Sequence, residues 1–351
     1  MVKTRTETIL KNTGAEALLI AQDDYRFYLT GFKSSFGILI ADSSGVTLYT
    51  DSRYLEAAEK FLKGTYISVK DYPRGLKLTE LLKSYKIIAM PLDNVSANEY
   101  MELVDAGFEI VDCSKAIALE MSVKTAEEIN NITLSCNVAD KAYTELLGKI
   151  KEGMTETEVA AELEYLFRRH GASGTSFSTI CAFGSNASVP HYETGNTKLK
   201  YGDEILLDFG CKVNGYCSDC TRTILFGDDD KHAEFKDIYG KVLEAHEIVK
   251  REFTVGMTGS QGDALARNYL EKYGLAKYFT HSLGHSLGIN IHESPNLSPR
   301  DETPFKDGMV FSDEPGVYLS GQMGIRIEDT CTLKGGKVVS LTTTDKKLTI
   351  I

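Results

Sequence analysis

The run Gly202-Asp203-Glu204-Ile205-Leu206-Leu207-Asp208-Phe209-Gly210-Cys211-Lys212-Val213-Asn214-Gly215-Tyr216-Cys217-Ser218-Asp219-Cys220-Thr221-Arg222-Thr223-Ile224-Leu225-Phe226 reads as two β-rich segments joined at Asn214-Gly215. Asn-Gly between such segments is the strongest short-range hairpin signal. A two-residue turn pairs Val213 with Tyr216. Counting back along both strands sets Asp208 opposite Thr221 and leaves Asp219 diagonal to Asp208 on the same face, with Cβ atoms about 7 Å apart or less. The ordinary reading of such a pair is a solvated acidic face. Here, however, Asp208 sits inside Ile205-Leu206-Leu207-Asp208-Phe209, which is too apolar for an exposed edge, and two buried anions need compensating positive charge. A shared cation supplies it.

Three more ligand types follow downstream. His281-Ser282-Leu283-Gly284-His285-Ser286-Leu287-Gly288-Ile289-Asn290-Ile291-His292-Glu293 carries three histidines interleaved with glycines that allow close backbone approach. A lone histidine is usually a satisfied core or surface residue, but clustering shifts the reading toward a site. Met309 to Tyr318 reads as a strand running into a Pro315-Gly316 turn, with Glu314 at its end. Gly324 to Thr330 reads as one strand with Arg326 and Glu328 on a common face. Strand ends present such side chains rigidly.

With these residues in view, the chain from about Lys124 to its C-terminus resembles the aminopeptidase P and prolidase family of metallopeptidases. The resemblance implies an α+β pita-bread catalytic domain, a fold shared with methionine aminopeptidases. It also implies that Asp208, Asp219, His285, Glu314 and Glu328 bind two divalent metal ions. In that pattern Asp219 and Glu328 bridge the ions, Asp208 completes one, and His285 with Glu314 completes the other. His191, in Ser185-Asn186-Ala187-Ser188-Val189-Pro190-His191-Tyr192, and His292 would donate to the scissile carbonyl or its oxyanion, and Glu314 would help move a proton to the leaving nitrogen. His281 and Arg326 would bind substrate.

Charge counting fits this chemistry. Four carboxylates balance two divalent ions, so a water bridging them can be deprotonated near neutral pH and serve as the hydroxide nucleophile. Carboxylate-dominated ligation favours manganese, with cobalt or zinc as alternatives. The implied substrate is a peptide with proline in second position, and the implied reaction removes the residue before it. An Xaa-Pro dipeptidase, or prolidase, is the alternative within enzymes, and a non-catalytic pita-bread binding module is the alternative of another class. Some prolidases carry an arginine where this chain has Asn296, with Arg300 four positions on, which weakens the case for strict dipeptidase activity. Ser312 keeps the hydroxyl of the threonine that family members often place two residues before the Glu-Pro-Gly ligand.

Length and composition set the frame. A chain of 351 residues suggests two domains, with a boundary near Met121-Ser122-Val123-Lys124: residues 1–121 as a smaller α/β domain and 122–351 as the catalytic one. The first resembles the family's creatinase-type N-terminal domain through Tyr28-Leu29-Thr30-Gly31-Phe32 and Leu48-Tyr49-Thr50-Asp51-Ser52-Arg53-Tyr54. Strands are expected at Ala17–Ala21, Gly37–Ala41, Val46–Thr50 and Lys86–Met90, with helices near 52–63, 75–84 and 95–106. Beyond the boundary, Thr125 with Glu128 and Thr155 with Glu158 form capping boxes that open two helices, the second ending at Gly171. A pita-bread fold implies an internal pseudo-twofold, yet no sequence repeat is apparent.

A net charge of −11 disfavours nucleic acid as a partner. No stretch approaches a membrane span, and Met1-Val2-Lys3-Thr4-Arg5 is too charged to open a signal peptide, so a cytoplasmic protein free of the membrane is expected. Seven scattered cysteines read as reduced thiols. Cys217 shares the face of Asp219 and is expected to line the metal pocket and meet thiol reagents. The family resemblance adds a homodimer.

Overall fold

The apolar runs expected as strands at the start of the chain do form strands, and they assemble with two more into one sheet. The structure, a computed structural model, describes residues 2–228 and 230–351 and divides into two units, Met1–Met121 and Ser122–Ile351. In the first unit β1 (Ala17–Ile20), β2 (Ile38–Asp42), β3 (Gly45–Thr50), β4 (Ile67–Asp71), β5 (Ile87–Met90) and β6 (Glu109–Asp112) lie in the order β4-β3-β2-β1-β5-β6. Strand β1 is buried at all four residues because it lies inside the sheet. The edge strand β4 buries only Ile67, and β6 buries no residue fully. Helices at Leu55–Leu62, Leu78–Leu82 and Ala97–Asp105 match the expected positions, and further helices form at Val2–Thr13, Asp23–Thr30 and Ser114–Ser122.

The second unit is built twice over. Its first half opens with helices Ala126–Leu147 and Glu156–Arg169, each started by the expected capping box, Thr125 with Glu128 and Thr155 with Glu158. Tyr143 on the first helix stacks on Phe209 at 5.3 Å between ring centroids, tying the helix pair to the sheet beneath. Strands follow: β7 (Gly174–Thr175), β8 (Ile180–Phe183), β9 (Asp203–Phe209), β10 (Cys211–Val213), β11 (Tyr216–Cys217) and β12 (Cys220–Phe226). The second half opens with helices Ala233–Glu252 and Gly259–Glu271, the latter capped by Thr258 with Gln261. Strands β13 (Gly284–Ser286), β14 (Glu293–Leu297), β15 (Val310–Asp313), β16 (Gly316–Leu319), β17 (Met323–Arg326), β18 (Asp329–Lys334) and β19 (Lys337–Ser340) complete it.

The two halves share a local motif that the sequence reading passed over. Gly153-Met154-Thr155 and Gly256-Met257-Thr258 each enter a helix through a glycine at positive φ, 85° and 90°. Each is pinned by a reciprocal backbone pair, Gly153 with Leu199 and Leu199 with Met154, against Gly256 with Phe305 and Phe305 with Met257. Each pinning segment then turns at a positive-φ glycine, Gly202 or Gly308, into a strand, one carrying Asp208 as its penultimate residue and the other stopping one residue before Glu314. The internal repeat is therefore present, carried by a few turn and cap positions.

Candidate metal centre

Each half supplies one long hairpin, and both open at their carboxylates. In the first, β9 pairs with β12 from Asp203 opposite Phe226 to Phe209 opposite Cys220, so Asp208 faces Thr221 as the turn geometry requires. Val213 pairs with Tyr216 at the far end. The hairpin was expected as one continuous ladder; instead β10 and β11 leave for a second sheet at Gly210 and Ser218, without a change of register. A Cβ at Gly210 would overlap the Ser218 carbonyl, so only glycine fits this crossing. Asp219 lies at the departure, and its backbone exchanges hydrogen bonds with Thr330 Oγ1 at 3.1 and 2.8 Å.

The second hairpin corrects two expectations. Pro315-Gly316 is not a terminal turn, and residues 324–330 are not one strand. Strands β15 and β18 pair up to Asp313 opposite Asp329, and β16 and β17 resume at Gly316 opposite Arg326 in the same register. The ladder opens between them, where Pro315 has no N–H to donate, and this sets Glu314 against Glu328. Glu328 is tied back to the first hairpin: its N–H donates to the Thr221 carbonyl at 3.1 Å, and its Oε2 accepts from Thr221 Oγ1 at 2.6 Å.

His285 arrives on β13, whose Gly284 leaves no room for a side chain beside Ser312. The Ser312 hydroxyl accepts the His285 N–H at 3.0 Å and donates to Glu314 Oε1 at 3.0 Å, so one hydroxyl links two members of the cluster. With Nδ1–H donating to the Ser286 carbonyl at 3.2 Å, the Nε2 lone pair of His285 points at Asp219 Oδ2 and Glu314 Oε1, each 3.5 Å away. That spacing is long for a hydrogen bond and suits donors that share an ion. One ligand atom from each of Asp219, His285 and Glu328 lies within 4.8 Å of the others.

Electrostatics point the same way. Burial first, and then Glu328, Asp208 and Glu314, push the Asp219 carboxyl well above the usual range. Burial and then Glu314 and Asp208 do the same to Glu328. Burial raises Glu314 to about 8, with Asp208 adding to the shift against Arg326. The His285 imidazole is held down to about 4 by burial and by His292, hence neutral and able to donate a lone pair. Asp208 Oδ1 is buried without a hydrogen-bond partner among the described residues. Converging carboxylates, a neutral imidazole and an orphaned carboxylate oxygen fit divalent cations, which would lower all these charges at once.

All nine residues singled out in the sequence, His191, Asp208, Asp219, His281, His285, His292, Glu314, Arg326 and Glu328, line one cavity of about 840 Å³. His191 and His292 are exposed there, and the His292 ring stands nearly perpendicular to that of His285 at 4.4 Å. His281 is differently placed. Its Nδ1 meets the Ser282 carbonyl and its Nε2 the Tyr318 hydroxyl, both at 2.8 Å, so neither ring nitrogen is left for a ligand. Arg326 is 3% exposed and directs its donors to Thr221 Oγ1, the Pro190 carbonyl, Tyr318 Oη and Asp208 Oδ2. Four of its five N–H groups are thus engaged. The sequence reading assigned no role to Thr221 or Tyr318, although the hairpin register had already placed Thr221 opposite Asp208.

Cys217 departs from expectation. It is fully buried with Ile132, Cys136, Leu287 and Val310, outside the cavity, and burial raises its thiol. All seven cysteines are unpaired and buried.

Comparison with known proteins agrees with this fold. Residues 130–334 match metallopeptidase family M24, and residues 4–119 match the creatinase/prolidase N-terminal domain. The Xaa-Pro dipeptidase of Pyrococcus furiosus is 34% identical over 359 residues, covering 99% of this chain and 100% of that one. Among solved structures, the Xaa-Pro dipeptidase from Bacillus anthracis superposes with a TM-score of 0.95 at 30% identity, over the whole of both chains. The X-Pro aminopeptidase from Thermotoga maritima gives 0.91 at 32% identity, covering 99% of this chain and 100% of its own. The chain belongs to metallopeptidase family M24, within its aminopeptidase P and prolidase branch. It is a metallopeptidase with a pita-bread catalytic fold behind a creatinase-type N-terminal domain.

Proposed function

We propose that this chain is an Xaa-Pro aminopeptidase, which hydrolyses the bond between an N-terminal residue and a following proline and accepts peptides longer than a dipeptide at least as readily. The observation that carries the reading is the convergence of Asp208, Asp219, His285, Glu314 and Glu328 in one cavity. Asp208, Asp219, His285, Glu314 and Glu328 would hold two divalent metal ions. Manganese suits this oxygen-rich set. When bound, the ions supply an activated water and offset the four carboxylate charges.

The chain's own groups handle the peptide. His292 and His191 donate to the scissile carbonyl oxygen, and Glu314 carries a proton to the leaving proline nitrogen, which has no hydrogen of its own in the peptide. His281, with both nitrogens engaged, offers ring surface rather than a donor. Length preference follows from what is missing around a dipeptide's carboxylate. Arg326 is tied to protein acceptors, Arg300 is exposed and off the cavity wall, and Asn296 lines that wall. Burying a carboxylate without a cation is unfavourable. The family resemblance supports a homodimer, and seven reduced cysteines support the cytoplasm.

The test compares an Xaa-Pro dipeptide, an Xaa-Pro-Yaa tripeptide and an Xaa-Ala-Yaa control after manganese loading. Cleavage confined to the proline peptides, with kcat/KM for the tripeptide at least equal to the dipeptide's, is expected. A tenfold preference for the dipeptide, lost in Arg300→Ala, would make the protein a prolidase. Absence of turnover with two ions bound would overturn the catalytic reading.

A further inference from the structure

The loop that carries His191 runs from Phe183 to Gly195, and both of its ends are held by one buried carboxylate from another element. Glu156, the first residue of helix Glu156–Arg169, is 0% exposed. Its Oε1 accepts the Phe183 N–H and Asn186 Nδ2, both at 2.9 Å. Its Oε2 accepts the Tyr192 hydroxyl at 3.0 Å and the Gly195 N–H at 3.2 Å. One oxygen therefore fixes the start of the loop and the other its end, next to His191. The four partners are neutral, and the positive end of the helix on which Glu156 sits stabilises its charge.

We infer that Glu156 is a positioning residue for His191, acting through the loop rather than by touching substrate. His191 is exposed, with no hydrogen bond of its own among the described residues, so its place over the cavity is set by its backbone and by Tyr192 beside it. The chemistry requires a carboxylate, not merely its shape. Phe183 N–H, Asn186 NH₂ and Gly195 N–H can only donate. A glutamine at 156 would turn its own NH₂ toward at least one of them, setting two donors face to face around a buried side chain. The other half of the fold contains a comparable device. Asp263, 2% exposed on helix Gly259–Glu271, accepts the Leu283 N–H at 3.0 Å and holds Arg267, which donates to the His281 carbonyl at 2.8 Å.

This inference rests on His191 facing the substrate, and a double-mutant cycle separates the two claims. Glu156→Gln, His191→Ala and the double variant are assayed on an Xaa-Pro-Yaa tripeptide with metal content measured in parallel. Glu156→Gln is expected to lower kcat at least tenfold with KM within threefold and two metal ions retained. In the His191→Ala background the same substitution is expected to add less than twofold. Multiplying effects, or a Glu156→Gln enzyme within twofold of the parent, would overturn the inference. A His191→Ala enzyme with full activity would instead overturn the role given to His191. Should Glu156→Gln not yield folded protein, Asn186→Ala removes one donor from the same hub and carries the same cycle, with a threefold or greater loss expected and the same non-additivity.

Discussion

Arg326 Nη2 donates to Asp208 Oδ2 at 2.6 Å, and among the described residues this is the sole hydrogen bond that the Asp208 carboxylate receives. The arginine expected to bind substrate therefore holds a carboxylate of the proposed metal-binding set. Its fork geometry matters: Nε, Nη1 and Nη2 reach acceptors on both hairpins and on the His191 loop.

Arg326→Lys should therefore act first on the metal. A lysine keeps the charge but cannot reproduce the planar fork, and loss of a group that orients a ligand typically weakens metal affinity or activity about 10–100-fold. Metal titration of the variant should show weaker retention, with KM for a tripeptide changed less. Unaltered metal binding alongside a raised KM would return Arg326 to the substrate.

Asp219→Asn and Glu328→Gln should each abolish hydrolysis and lower metal content. A neutral amide is a poorer ligand and leaves the charge balance of the centre wrong. Asp219 lies among the cluster's other acids, and Glu328 is fixed at both backbone and carboxylate by Thr221, so both stand at the centre of the carboxylate group. Two bound ions and near-parental turnover in either variant would sink the ligand assignment.

How far these features were legible differs from residue to residue. Asn214-Gly215 fixes a register, and register alone set Asp208 opposite Thr221 with no tertiary information. The departure of β10 and β11 into another sheet was not legible, because it depends on Asp219 meeting Thr330 across the two halves. Pro315-Gly316 carries the signature of a turn, yet here it joins two strands whose partners also change sheets at Ile327-Glu328. Edge strands β4 and β6 present few buried apolar residues, so their sequences lack the pattern that announced β1. The internal repeat survives only at caps and positive-φ glycines, too few positions to stand out in sequence. The engagement of His281 through Tyr318 exists only once β16 is folded against the histidine segment.

Removing the metals should destabilise the catalytic unit in a pH-dependent way. Without ions, burial and neighbouring carboxylates hold Asp219 and Glu328 well above the usual range and Glu314 at about 8, with Asp208 beside them and Arg326 and His285 as the facing bases. Carboxyls raised in the folded state contribute stability that is full below their unfolded value and is lost as pH rises through the folded one. His285, held down to about 4, and His281 and His246, held down to about 3, act in the opposite sense below their unfolded value, so the melting temperature of chelated protein should fall most clearly between about pH 6.5 and pH 8. Manganese at about 100 times its dissociation constant should restore about 2.7 kcal/mol, because it binds only the folded state. Identical melting curves with and without chelator across that range would mean that the acids are not gathered around a cation.

His292→Ala should separate turnover from metal binding. The ring stands against His285 at 4.4 Å with its outer part exposed to the cavity, and partial desolvation and His191 hold it below its ordinary value, which favours a neutral donor. Removing one donor to a developing oxyanion typically costs about 100-fold or more in rate. The chain around it is anchored independently: Glu293 Oε2 is paired with Lys124 Nζ at 3.0 Å, and Glu293 Oε1 accepts the Asn290 N–H at 3.1 Å, so the backbone should keep its path in the variant. The expected result is a fall in kcat of that order with two ions per chain retained, measured by metal analysis on the assayed sample. Loss of metal in proportion to loss of activity would make His292 a ligand.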